Sequence, residues 1–314
     1  MSGEHSRARA WLMAARPQTL PAGAAPVVVG TGLAVREGVF APLAALAALV
    51  GALLIQVGTN FANDYYDARK GADTDEREGF TRVTQAGLIA PDRVRRAMYL
   101  AYAAAVAVGV YLVYVGGVPI LVVGLSSVAA GILYTGGPYP YGYRGLGDLF
   151  VFLYFGVVAV AGTYYVQAAA LVAEPLSLWV SAGTLPLAAV VAGLAPAGLS
   201  TCILVVNNVR DRETDAAAGK RTLAVLLGYR GSRVEFLLML GLAYAVPVVF
   251  AATGYGPLAL LPLVTLPLAA GVSRTLLTET GPVLNDTLER VGKLLAAHSL
   301  LFAAGLAAPA LGVI

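Results

Sequence analysis

Apolar stretches long enough to cross a bilayer recur along the whole chain, separated by short polar or glycine-rich connections. A hydrocarbon core about 30 Å thick takes roughly 20 apolar residues per helical crossing. On that measure nine spans are predicted, at 20–36, 39–62, 94–115, 117–135, 147–171, 178–208, 233–253, 255–275 and 288–312. The connections alternate in character. Those after the second, fourth, sixth and eighth spans are polar, whereas those after the first, third, fifth and seventh are short and nearly uncharged. The pattern predicts an all-α polytopic membrane protein, with a short N-terminal arm (1–19) and a single transmembrane domain (20–314).

Composition agrees. Hydrophobic residues make up 58% of the 314 and charged residues only 12%, against about 25% charged in soluble domains. That leaves too little polar surface for a water-soluble globule. Of the 21 Lys and Arg residues, 20 fall in the arm and the even-numbered loops, and Arg36 alone lies opposite. The positive-inside rule then predicts a cell-membrane protein with a cytoplasmic N-terminus and an external C-terminus. The first 16 residues are polar and basic, so no cleavable signal peptide is expected. Cys202 is the single cysteine, which excludes an intrachain disulfide and reads as a buried structural thiol. No extended basic patch with interleaved aromatics exists, which excludes nucleic acid as a partner.

Two polar clusters interrupt this pattern. At about 100° per residue, Asn60, Asp64 and Asp67 share one narrow helix face with Asn63 on its shoulder, and Asn208, Asp211 and Asp215 form a second stripe. Each cluster ends a span on the basic side, and each precedes a basic, glycine-containing loop. Four spans separate them, so spans 1–4 and 5–8 read as weakly related halves with the ninth added. Two carboxylate stripes at one depth would repel unless cations lay between them. Hard oxygen donors with amide support suit Mg²⁺, which is usually held by a few carboxylates plus substrate phosphates. A diphosphate is therefore the natural third component. Polar caps in the headgroup region would explain one cluster but not two matched ones, since ionisable groups at membrane depth are functional by default. Lys70, Arg82, Arg144, Lys220 and Arg221 are candidate donors to phosphate oxygens. Arg144 stands out as the only basic residue of its loop, among Tyr139, Tyr141 and Tyr143, whose rings could shield a cation. His298 reads as a packed core residue, and His5 lies in the arm.

The paired motifs Asn63-Asp64-x-x-Asp67 and Asp211-x-x-x-Asp215 resemble those of the UbiA superfamily of intramembrane prenyltransferases, over roughly residues 16–310. Tyr134-Thr135-Gly136-Gly137-Pro138, the run from Tyr141 to Gly147, the run from Gly162 to Gln167, and Asn207–Asp215 followed by Gly219–Leu223 are similar to the branch acting on 1,4-dihydroxy-2-naphthoate. Arg16-Pro17-x-Thr19-Leu20-Pro21 resembles that branch's opening as well. The resemblance implies a nine-helix UbiA-type bundle with an opening to membrane lipid. It implies Mg²⁺-dependent transfer of a polyprenyl group from polyprenyl diphosphate to 1,4-dihydroxy-2-naphthoate, with loss of carbon dioxide and pyrophosphate, giving demethylmenaquinol for menaquinone. Asn63, Asp64, Asp67, Asn208, Asp211 and Asp215 would hold metal, and Lys70, Arg82, Lys220 and Arg221 would hold the diphosphate. Catalysis would rest on the four aspartates and Arg144, which with Lys220 would stabilise the leaving charge. One departure stands out: the superfamily's third acidic position after Asp67 is Gly71 here, with Asp73 and Asp75 just beyond. Two alternatives remain open, another aromatic acceptor such as 4-hydroxybenzoate and an ion-coupled transporter. Against the transporter, the ionisable groups sit at helix ends rather than near the bilayer midplane.

Overall fold

The computed structural model describes residues 7–70 and 82–312, all helix, turn or irregular connection, with no strand among them. His5, Asp73 and Asp75 lie outside the described residues. A short helix α1 (Arg7–Ala15) leads through a 3₁₀ turn into α2 (Leu20–Arg36), and α3 (Pro42–Lys70) follows. The next helical run, Pro91–Leu133, has 43 residues. Unbroken, it would measure about 65 Å, twice the thickness of a hydrocarbon core. It folds instead at Gly117, whose φ of 68° and ψ of −159° leave the helical region. The limbs 91–116 (α4) and 118–133 (α5) run side by side: a Cβ on Gly131 of α5 would come within 2.6 Å of the Tyr102 hydroxyl of α4. That turn takes a residue without a Cβ, because a Cβ on Gly117 would meet the Ser177 carbonyl oxygen at 2.0 Å.

Helix α6 (Gly147–Val172) passes through one π-helical turn at Leu153–Val158. Helix α7 (Leu187–Arg210) ends at Asp211, where α8 (Arg212–Ala217) begins. Helix α9 (Leu223–Phe250) is broken at Gly228, a 3₁₀ stretch (Pro257–Thr265) enters α10 (Leu266–Thr278), and α11 (Leu284–Ala307) completes the bundle. Eight continuous helical stretches are long and apolar enough to cross a membrane. With Pro91–Leu133 folded in two, the described residues supply the nine expected crossings. One boundary moves: residues 178–186 are not helical, and the sixth crossing starts at Leu187.

Helix α7 is the most enclosed of the crossings, and α4 with α5 the most exposed to lipid. Helix α7 packs against α9 and α11, α2 against α11 and α6, and α3 along α4 and α5. Because lipid tails are as apolar as leucine, such helices associate through close backbone approach rather than through water exclusion. Gly32 of α2 illustrates it, since a Cβ there would lie 2.6 Å from Ala303 Cα of α11. Cys202 is buried in the core between α7 and α9. His298 is fully buried, edge-on to the Tyr244 ring at 5.1 Å.

Candidate active site

The ends of α3 and α7 meet at one end of the bundle, and both polar clusters open on a single cleft. Asn63 and Asp67 line it from α3; Asn208, Asp211 and Asp215 line it from α7 and α8. Five of the six expected metal-binding residues are thus brought together, along with the cations Arg82 and Lys220.

On the first side, Asp67 is 2% exposed, yet it carries two partners. Arg82 Nη2 donates to its Oδ2 at 2.8 Å, and the Tyr143 hydroxyl donates to its Oδ1. Asn63 Oδ1 accepts from the Thr135 hydroxyl at 3.0 Å. Asp64 is buried but does not reach the cleft; its Oδ1 accepts from the Thr84 amide at 3.3 Å. Asn60, at the head of the stripe, acts on structure. Its amide donates to the Ala15 carbonyl at 2.8 Å and the Thr19 hydroxyl at 2.9 Å, and Gln56 donates to the same hydroxyl at 3.0 Å. These bonds clamp the entry to α2, where Arg16 holds a left-handed backbone with φ 51°.

On the second side, Arg210 grips Asp211 with two bonds of 2.7 Å each, from Nε to Oδ1 and from Nη2 to Oδ2. The same guanidinium donates to Asn207 Oδ1 at 2.7 Å and Asn285 Oδ1 at 2.9 Å, which ties α7 to the start of α11. Such two-pronged pairs fix the carboxylate plane as well as its charge. Asp215 meets Lys220 at 3.3 Å.

The loop between α5 and α6 joins the two sides. Its Tyr143 ring lies 5.3 Å from Lys70 Nζ and 4.9 Å from Lys220 Nζ, so one aromatic ring serves two ammonium groups. The Tyr143 carbonyl accepts from the Arg221 amide at 2.8 Å, which locks this loop to the one after α8. Tyr141 anchors the same loop by donating to the Ala130 carbonyl at 2.8 Å, and burial pushes its phenol well above the ordinary tyrosine range.

Three expected phosphate donors stand apart from the cleft. Lys70 is exposed at its rim and bonds the Thr135 carbonyl at 2.6 Å. Arg144 is exposed and stacks on Tyr139, its guanidinium carbon 3.8 Å from the ring centre. Arg221 turns its side chain to the surface and contributes its backbone. Sequence reasoning missed Arg210 and Tyr143. Arg210 is one of the many basic residues on its side of the chain, yet its place beside Asp211 and one turn after Asn207 is a usable signal. Tyr143, expected among the rings that shield Arg144, serves Lys70 and Lys220 instead.

Among the described residues no three acidic, His or Cys side chains converge to hold an ion unaided. The donors are carboxylates and carboxamides spread across a cleft. That chemistry fits a hard cation whose remaining positions are filled by a polyanionic ligand.

The sequence profile of the UbiA prenyltransferase family matches residues 24–283. The chain belongs to that family. Among its relatives, the chain is 37% identical over 309 residues to the 1,4-dihydroxy-2-naphthoate octaprenyltransferase of Escherichia coli (strain K12), covering 96% of each chain. It is 38% identical over 283 residues to the protein of the same name from Mycobacterium tuberculosis, covering 88% of this chain and 91% of that one. UbiA architecture extends to distant solved structures. A UbiA homolog from Aeropyrum pernix K1 in its apo form superposes with a TM-score of 0.69 at 17% identity, over 91% of this chain and 96% of that one. A UbiA homolog from Archaeoglobus fulgidus, bound to DMAPP and Mg²⁺, gives 0.61 at 14% identity, over 93% and 98%. These two likenesses concern the fold alone.

Proposed function

We propose that this protein transfers a polyprenyl group from polyprenyl diphosphate to 1,4-dihydroxy-2-naphthoate, releasing pyrophosphate and carbon dioxide and giving demethylmenaquinol for menaquinone biosynthesis. The observation that carries the reading is end-to-end similarity to relatives of that name, joined to a cleft where two oxygen-donor clusters face each other among cations. Mg²⁺ is the metal these donors suit, with Asn63, Asp67, Asn208, Asp211 and Asp215 as its holders; Asp64 supports from behind. When bound, it would supply charge neutralisation of a diphosphate and Lewis-acid assistance to its departure.

The chain's own residues do the rest. Arg82 and Lys220 take phosphate oxygens in the cleft, while Lys70, Arg144 and Arg221 attract the donor from the rim. Tyr143 holds Asp67 by its hydroxyl and steadies both lysines by its ring. Apolar bundle walls exclude water that would quench an allylic cation. The basic asymmetry supports a cell-membrane protein whose cleft faces the cytoplasm.

The reaction has a distinctive product. A ring with two oxygen donors stabilises the charge that develops on attack at the carboxylated carbon, and loss of the carboxylate restores aromaticity without a strong base. Purified protein given labelled polyprenyl diphosphate, Mg²⁺ and carboxyl-labelled 1,4-dihydroxy-2-naphthoate should release one labelled carbon dioxide per prenylated product. Label retained in the product, or turnover only with 4-hydroxybenzoate, would overturn this assignment.

A further inference from the structure

The loop between α6 and α7, residues 173–186, carries a run of outward-facing apolar side chains at the end of the bundle away from the cleft. Trp179 is 80% exposed and Leu178 66%, and Leu176, Val180 and Leu185 are exposed beside them. Glu174 is the loop's only charged residue. This display is built rather than frayed. Leu176 holds a left-handed backbone with φ 58°, a conformation that is strained for a side chain of its kind. Its amide donates to the Tyr114 carbonyl at 2.9 Å, and the Ser177 carbonyl accepts from the Val118 amide at 2.9 Å. The Ser177 hydroxyl closes a local turn on the Trp179 carbonyl at 2.8 Å. The loop is therefore clamped to the Gly117 turn that joins α4 to α5, and the clamp aims its side chains outward.

We propose that this loop is an interfacial anchor, seated in the membrane–water boundary of the leaflet opposite the cleft. The partner is the lipid surface itself, for two reasons on the molecule. The exposed loop residues adjoin exposed apolar side chains of the neighbouring spans, Tyr114, Val118, Leu171 and Val172, which is the surface a bilayer would cover. The clamp to the Gly117 turn also sets the loop at the level where two crossings end, which is where the headgroups lie. Tryptophan suits that depth, because its ring is apolar and its N–H finds partners among headgroups and water. The anchor would hold the outer ends of α4, α5 and α6 at a fixed height.

The chain has only two tryptophans, so the test is direct. The variant Trp11→Phe, reconstituted in phosphatidylcholine nanodiscs, leaves Trp179 as the sole reporter. Its emission should be blue-shifted relative to tryptophan in water and protected from aqueous iodide. Bromines placed high on the acyl chains should quench it more strongly than bromines placed near their ends. If Trp11→Phe fails to fold, the difference between the unmodified protein and Trp179→Phe isolates the same signal. Red-shifted emission that iodide quenches and brominated lipid does not would overturn the proposal. So would blue-shifted emission insensitive to bromine that turns red at one protein per disc, since a second copy would then be covering the loop.

Discussion

Asp67 near the end of α3 and Asp211 at the end of α7 are each held by a buried arginine, Arg82 and Arg210. A buried carboxylate without such a partner is costly, so the pairs make both helix ends stable before any metal or substrate arrives. Asp67→Asn and Asp211→Asn should each lower the thermal transition in detergent, because a buried arginine loses its counter-charge, and should lower turnover by about 100-fold or more. Chelation should lower the turnover of the unmodified enzyme as much; near-normal turnover after exhaustive EDTA treatment would remove Mg²⁺ from the reading. The cations should divide by position. Lys220→Ala takes a charge out of the cleft and should raise the donor KM by about tenfold, the size of one charge-assisted contact, whereas Arg144→Ala, on the surface against Tyr139, should change it far less. Equal effects in KM measurements would return Arg144 to the cleft. The acidic and amide residues were legible in the sequence because helical spacing alone puts them on one face. The partners of Asp67 were not. Arg82 lies 15 residues downstream and Tyr143 76 residues, and only the folded bundle says which of many basic and aromatic residues meets which carboxylate.

The crossings were legible because hydropathy measures the free energy of placing a segment in lipid, which is what decides a span. Hydropathy says nothing about backbone conformation, and the segment 178–186 shows the consequence. Leu178, Trp179 and Val180 extend the apolar run, but Gly183 takes a φ of 80° and Pro186 disfavours helix before it. The helix therefore waits until Leu187. The fold at Gly117 is the converse case, a long apolar run with one glycine that turns it back. Gly117→Val combines a positive φ with a Cβ against the Ser177 carbonyl, and should destabilise the bundle by about 3 kcal/mol or more. Gly124→Ala, on the same run with open space around it, should be neutral or slightly stabilising. Thermal unfolding of both variants in one detergent checks the pair, and equal shifts would mean that the turn is not where the constraint lies.

At the scale of the whole molecule, the polar clusters that end α3 and α7 lie at the same end of the bundle, and the ninth crossing, α11, packs against α2 and α7. An odd number of crossings has a consequence that does not depend on the chemistry. The two ends of the chain must lie on opposite sides of the membrane. On the orientation proposed above, the basic residues of the arm and of the loop after α3 place the N-terminal side in the cytoplasm. Arg36, the lone basic residue opposite, sits at the far end of α2 over the Tyr255 ring, with its guanidinium carbon 5.8 Å from the ring centre. A reporter active only in the cytoplasm should therefore work when inserted near residue 75 and fail when fused after residue 314. A reporter active only outside should do the reverse. The decisive element is α4 with α5: were Pro91–Leu133 a single tilted helix, the count would fall to eight and both fusions would report the same compartment. The two reporters therefore test the turn at Gly117 and the orientation of the cleft in one experiment.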